Sequence, residues 1–385
     1  VTVPSGIGDT AGTDDTADTA DTADTDDTAG TAHGTGANGV TGKAGAADER
    51  LARSGPARRL LIRPELGAVV GALVVFAFFA AQSPVFRSVE GVANWLDPAS
   101  TLGIMAVAIA LLMIGGEFDL SAGVLTGTVG LVTVILSTRY GLPLWAAMGA
   151  ALAVALLVGL LNGLVVVRTG LPSFIVTLAT FLMLQGVNLG ATKALTGTVQ
   201  VGGLRRVEGY EEARAVLGGT ITVAGAEFRV AVLWWLAVTA VATWVLARTR
   251  AGNWIFAVGG DERAARAVGV PAERTKIALF MTTAGAAWLV GSIMALRFTS
   301  VQAGSGVGQE FVYIIAAVIG GCLLTGGHGS AIGAAVGAVI FGMADKGIVF
   351  AGWDADWFTF FLGAMLLLAT LANRFVRRYA EEVRH

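Results

Sequence analysis

From about residue 65 onward the chain is a succession of ten long apolar runs, near 65–82, 99–115, 121–138, 142–167, 171–192, 230–247, 277–297, 311–325, 331–349 and 356–373. Crossing about 30 Å of hydrocarbon takes roughly 20 residues of helix, or fewer with help from flanking residues. Backbone groups left unpaired in lipid are so costly that such runs must be helical, and their breaks must reach water or be buried in protein. Only 14% of the residues are charged, about half the roughly 25% of a soluble domain. That is too little polar surface to cover a compact body of this size in water. The pattern excludes a soluble enzyme, a nucleic-acid binder and a disulfide scaffold. It predicts an all-α polytopic membrane protein of about ten transmembrane helices.

The net charge of −2 averages two unlike parts. Residues 1–50 carry ten acidic side chains, eight of them aspartates between Asp9 and Asp27, against Lys43 and Arg50. This stretch is a near-repeat of Asp, Thr and Ala followed by Gly-rich sequence. With almost no large apolar residues, nothing offsets the entropy of ordering, and a disordered tail is expected. It does not read as a secretory signal, because the basic run comes late and no A-x-A site follows a short apolar core. Gly34-x-Gly36-x-x-Gly39 spells a dinucleotide fingerprint, but no strand precedes it and no helix follows. The domain reading is a tail (1–50), a basic juxtamembrane segment (51–64), a transmembrane domain (65–373) and a cytoplasmic tail (374–385).

Cations set the orientation of membrane helices, accumulating on the inner side. With both termini inside and ten crossings, fifteen Lys and Arg fall on the inner face. They include Arg53, Arg58, Arg59 and Arg63 before the first run, and Arg248, Arg250, Arg263, Arg266, Arg274 and Lys276 between the sixth and seventh. Nine fall outside, five of them in the one long outer loop, 193–229. Both termini are therefore expected to be cytoplasmic. Gly159-Leu-Leu-Asn-Gly163 and Gly333-Ala-Ala-Val-Gly337 are small-xxx-small faces that let helix backbones approach closely, as in a tight bundle. A weak internal repeat pairs Gly115-Gly116 before Ser121 with Gly326-Gly327 before Ser330.

Catalytic chemistry finds no footing. Cys322 is the only cysteine, and the histidines, His33, His328 and His385, are scattered. No disulfide, catalytic residue or metal site is therefore expected. No G-x-x-x-x-G-K-[ST] sequence occurs, so if ATP drives this chain, another chain hydrolyses it.

Four segments draw attention instead. The inner loop 248–276 contains Gly260-Asp261-Glu262-Arg263-Ala264-Ala265-Arg266, then Gly269 and Pro271. Asp261 is placed to cap a short helix running to about Val268, which Gly269 and Pro271 stop. That helix suits a groove on a partner, or it is an ordinary amphipathic loop. In Gly115-Gly-Glu117-Phe-Asp119-Leu-Ser121-Ala-Gly123, two carboxylates lie between apolar runs, where charge is costly. Asp119 either caps the next helix through the Ser121 or Ala122 amide or touches a substrate. Asn162 interrupts the fourth run, and Ser173, Thr177 and Thr180 share one helical face. These hydroxyls either satisfy backbone carbonyls or, with Asn162, line a path for a hydroxylated solute. Glu310, placed at the outer end of the eighth run, either meets an outer partner or caps its own helix. Asp345-Lys346 reads as a self-neutralising pair, and Trp353 and Trp357 as interfacial anchors.

Gly115–Gly123 (GGEFDLSAG), Gly159–Val167 with Leu171–Leu182, Ala257–Val270 (AVGGDERAARAVGV) and Gly308–Gly329 together resemble the permease subunits of bacterial ABC importers for monosaccharides of the ribose, xylose and galactoside type. The resemblance covers roughly Gly103 to Arg374 and leaves out the tail. Two residues, Glu117-Phe118, separate Gly-Gly from Asp119 where that family often has one. Cys322-Leu323 stands where it often has Thr-Ser. The resemblance implies a pore built from two such chains, a homodimer in the simplest case, in a bacterial plasma membrane and in contact with its lipid. It implies ATP-binding subunits beneath, docked on a coupling helix at about 260–270, whose candidate contacts are Gly260, Asp261, Glu262, Ala264, Ala265 and Gly269. An extracytoplasmic protein would deliver the sugar, with Glu310 as a candidate contact. Asp119, Ser121, Asn162, Ser173, Thr177 and Thr180 are candidates for the path. This chain would bind no cofactor and no nucleic acid. Rival readings are a permease for branched-chain amino acids or nucleosides, and an ion-coupled secondary transporter using Glu117 and Asp119.

Overall fold

The computed structural model describes residues 64–382. The expectations for the acidic tail, for Arg53, Arg58, Arg59 and Arg63, and for Arg384 lie outside these residues. The described residues are mostly helical. Seven helices are long and apolar enough to cross a membrane: α1 (Pro64–Gln82), α2 (Val89–Ile114), α4 (Leu144–Thr169), α5 (Ser173–Thr196), α6 (Ala231–Arg248), α9 (Ala272–Phe298) and α11 (Ala331–Phe350). Three more apolar stretches are shorter: α3 (Ala122–Thr138), α10 (Gln309–Ile319) and the first half of α12 (Trp357–Glu382). The inner loop folds into two small helices, α7 (Arg250–Gly260) and α8 (Glu262–Ala267).

Two helices depart from the expected runs for local reasons. Helix α2 begins ten residues before 99, because Ser88 caps it by accepting from the Gly91 amide at 3.0 Å. Helix α10 stops at Ile319 rather than near 325. There the Gly321 amide donates to Val318 and the Cys322 amide to Ala317. These are the two bonds of a Schellman stop, which requires a left-handed residue after the cap, here Gly321 at φ 92°. The same three-step pattern ends α2: Gly115 donates to Leu111, Gly116 (φ 84°) to Met113, and Glu117 to Leu112. The backbone stop at Gly115-Gly116 therefore recurs at Gly320-Gly321, not at Gly326-Gly327. Only the backbone pattern recurs, so the spelling of the glycine pairs pointed to the wrong register.

From Leu102 to Ile114 helix α2 is apolar around its whole circumference and buried, as expected of a helix at the centre of a bundle. Helices α6, α9, α10 and α11 pack around it. The small-residue faces work at close range. A methyl on Gly159 would stand 2.8 Å from the Phe280 carbonyl oxygen, and one on Gly163 would stand 2.9 Å from the Ile277 Cα, so α4 lies directly against α9. Gly333 and Gly337 face the carbonyls of Gly320 and Ala316 in the same way.

At the end opposite α7 and α8, the long loop 193–229 is more ordered than its composition suggests. Strand β1 (Gln200–Gly202) pairs antiparallel with β4 (Ser300–Gln302), and β2 (Thr220–Val223) forms a hairpin with β3 (Ala226–Arg229). Asp97 of α2 receives both guanidinium nitrogens of Arg297 and lies 3.6 Å from Arg229, tying α2, α9 and the hairpin together. Asp345 and Lys346 pair at 3.0 Å. Trp353 stacks edge-on with Phe78.

Candidate functional site

The expected short helix is present. Asp261 Oδ1 accepts the amides of Arg263 (2.9 Å) and Ala264 (3.0 Å), the Gly269 backbone at φ 85° ends the turn, and Pro271 precedes α9. Ala265 is not on the free face: it is buried against Val258 and Ala272. Gly260, Ala264 and Gly269 are exposed, and so is Val268, which is 79% exposed at the end of α8. Sequence reading passed over Val268, although an apolar residue between charged turns was the available signal.

Glu262 points the other way, into a chain of charges. Its carboxylate takes Arg266 at 2.6 Å and Lys276 at 2.7 Å, and Lys276 also pairs with Glu117 in the segment after α2. Arg266 reaches Glu273 at 3.5 Å. Burial pushes the Glu262 carboxyl up, but the hydrogen bonds and charges of Lys276 and Arg266 outweigh it, holding the group below the usual carboxylate range. One lysine thus ties α8, α9 and the 115–121 segment.

That segment is in turn fastened to α5. The Phe118 amide donates to Ser173 Oγ at 3.0 Å and the Leu120 amide to Thr177 Oγ1 at 3.1 Å. Asp119 Oδ1 accepts the amide and the hydroxyl of Ser121, which opens α3. Asn162 then bridges two elements: its amide donates to Ser121 Oγ at 3.0 Å, and its carbonyl accepts from Thr180 at 2.7 Å. All six residues proposed for a path therefore lie in one connected polar patch between the 115–121 segment, α4 and α5. Five are buried and Thr180 is half-buried. In this state they satisfy one another, apart from Asp119 Oδ2, which has no partner among the described residues.

The backbones cross where this patch meets the inner loop. The Gly327 amide donates to the Ile114 carbonyl at 2.9 Å. A methyl on Gly259, near the end of α7, would overlap that same carbonyl and stand 2.7 Å from the Gly327 nitrogen. Only glycine allows α7 so close to the end of α2.

Glu310 lies elsewhere. It sits nine residues before Ile319, about 14 Å up α10 at 1.5 Å per residue, buried against Gly123 in the first turn of α3. Both of its carboxylate oxygens accept the Gly308 amide at 3.1 Å. This is the capping geometry, inside the bundle rather than at its outer end.

Seven candidate spans, with a small capped helix wired to them by charge, define a polytopic membrane protein. Residues 91–370 match the family described as "Branched-chain amino acid transport system / permease component", and the chain belongs to that family. It is 32% identical to the probable ABC transporter permease YphD of Escherichia coli K12, over 80% of this chain and 89% of that protein. It is 30% identical to the E. coli ribose import permease RbsC (80% and 93%), and 30% identical to the xylose transport system permease XylH of Haemophilus influenzae (78% and 93%). No solved structure matches the chain. The protein is thus a multi-pass inner-membrane permease subunit of an ABC importer, similar to those of carbohydrate uptake. Such a subunit is not itself catalytic: a partner ATPase hydrolyses ATP, and a binding protein is the other expected partner.

Proposed function

We propose that this chain pairs with a second permease chain, a copy of itself in the simplest case, and forms the translocation path for a monosaccharide delivered by an extracytoplasmic sugar-binding protein. Seven long helices cross, and α3, α12 and α10 together with the 303–308 loop before it complete ten passes, with both termini cytoplasmic and α7 and α8 on the cytoplasmic face. Helix α8 docks on the ATP-binding subunit through its exposed side, Ala264, Val268 and Gly269, while Glu262 faces the bundle. The observation that carries this reading is the continuous chain Glu262–Lys276–Glu117 into the segment bonded to Ser173 and Thr177. Movement of α8 under the ATPase would pull that segment from α5 and expose Asp119, Ser121, Asn162 and Thr180 to solute. Hydroxyl and amide groups suit a neutral polyol. For ATP to drive the cycle, the partners must bind the two states of the bundle with different affinities.

The test is co-purification and uptake. Val268→Glu places a charge at the docking face without touching the packed side of α8. It is expected to abolish co-purification of the ATPase and ATP-dependent sugar uptake, with membrane insertion unchanged. Uptake that persists without the ATPase would overturn the reading in favour of an ion-coupled transporter. Because the matching family is described by branched-chain amino acids, the substrate panel includes leucine beside ribose, xylose and galactose. Uptake of leucine alone would move the substrate class.

A further inference from the structure

Between α6 and α9 the bundle is open along its side. The groove there has a volume of about 920 Å³ and is lined almost wholly by apolar side chains, with Val107, Leu111, Val238 and Leu289 among them. On α9 it runs from Arg274 to Leu289, about 22 Å at 1.5 Å per residue. That exceeds the roughly 15 Å of hydrocarbon in one leaflet. Its walls are not filled from within: Gly285 lines it, and a methyl there would meet nothing within 4 Å. Tryptophans mark both ends, Trp254 on α7 and Trp145 and Trp234 at the other, where amphipathic rings settle at membrane interfaces.

Charge distinguishes one end from the other. Arg274 lines the groove at the α7 end and is exposed. Arg248 and Arg250 flank the lining residues Val245 and Ala251 and are exposed as well. None of the three has an ion-pair partner among the described residues, whereas Arg266 and Lys276 nearby are paired. Arg274 in the lining, with Arg248 and Arg250 next to lining residues in the chain, gives one end of the apolar groove a positive charge that complements a negatively charged headgroup carrying a long hydrocarbon chain. Basic pockets between membrane helices bind anionic lipid headgroups on the same principle.

We infer that this groove is a binding site for an anionic phospholipid, with an acyl chain between α6 and α9 and the phosphate held by Arg274 with Arg248 and Arg250. The site adjoins α7, so an occupant would brace the helix that touches the end of α2 at Gly259.

The test uses the full chain, purified and returned to nanodiscs of phosphatidylcholine with a minor fraction of phosphatidylglycerol, with bound lipid counted by native mass spectrometry. The expected result is preferential retention of phosphatidylglycerol. Arg274→Gln should lower its retention about fivefold, the effect of one basic residue near a lipid surface. Gly285→Leu fills the groove and should displace the lipid while all three arginines remain. Equal retention of the two lipids by the unaltered chain would overturn the inference. So would phosphatidylglycerol retention that neither variant changes, or cross-linking through cysteines placed at Ala278 and Val241 that captures a second copy of this chain instead of lipid. None of these readouts depends on transport, so they separate failure of the lipid site from failure of the importer reading.

Discussion

Lys276→Met is the substitution that interrogates the charge chain most directly. The Lys276 ammonium pairs with Glu117 and Glu262, and the side chains are 13%, 8% and 33% exposed respectively. Removing it has unequal consequences. Glu262 keeps Arg266 at 2.6 Å and a third of its surface in water, so its loss is the few tenths to about 1 kcal/mol of a solvated pair. Glu117 has no second ion-pair partner among the described residues and keeps only 8% of its side-chain surface exposed. Stranding a buried charge typically costs about 3–5 kcal/mol. The expected destabilisation is therefore about 3–4 kcal/mol, dominated by Glu117. If so, Glu117→Gln in the Lys276→Met background should recover about 2 kcal/mol, a roughly 30-fold change in the unfolding constant. Reversible unfolding in mixed micelles measures both variants. Equal stability of the single and double variants would refute the reasoning, because it would mean that Glu117 is solvated and the chain of charges is not continuous.

Three other outcomes are expected. Glu262→Gln should cost no more than about 1 kcal/mol of stability, yet leave ATP hydrolysis running without uptake, measured together in proteoliposomes. Because the Glu262 carboxyl is held below its ordinary 4.5, its contribution is complete above that pH. It is lost as pH falls through the lowered value, so the midpoint of thermal unfolding should drop below about pH 4.5 in the parent and less steeply in Glu262→Gln. Gly259→Ala should cost about 1–3 kcal/mol through overpacking at the Ile114 carbonyl, whereas Gly260→Ala, with open space around it, should be near neutral in the same unfolding assay.

What the sequence showed depended on whether a feature was local. The α8 cap, the stop at Gly269 and a close backbone approach at Gly159 and Gly163 follow from residue type and spacing, and all are present, although the sequence did not name α9 as the helix approached. Asp119 likewise takes the Ser121 amide, two residues away. Contacts between distant segments were not legible. Glu117 and Lys276 are 159 positions apart, and Asp97 and Arg297 are 200. Counting cations put Lys276 on the inner side and Arg297 on the outer side but paired neither with a carboxylate. Glu310 is a mixed case: the cap, one of its two readings, is present at the Gly308 amide, but its burial against α3 was not legible. The run 311–325 reads as one span, because apolar residues continue past Gly320-Gly321, and only the Schellman stop shortens the helix and leaves Glu310 inside.

The arrangement also explains why a membrane subunit with so few charges keeps five of them in one place. Glu117, Glu262, Arg266, Glu273 and Lys276 join α8, α9 and the 115–121 segment, beside the small apolar contact of Ala265 with Val258 and Ala272. Packing at Gly159, Gly163, Gly333 and Gly337 holds backbones at van der Waals distance and resists change. The polar links are fewer and reversible: two hydroxyls of α5 hold the 115–121 segment, and Asn162 holds Ser121 to Thr180. At about 1 kcal/mol net for each hydrogen bond, releasing these four would cost about 4 kcal/mol, before solvent or solute takes their place. That is within reach of differential partner binding, whereas separating the glycine-packed interfaces would expose broad helix faces at once. On the proposed coupling, the seam that opens is the one between α5 and the 115–121 segment, with the helices joined through glycine expected to move as one body.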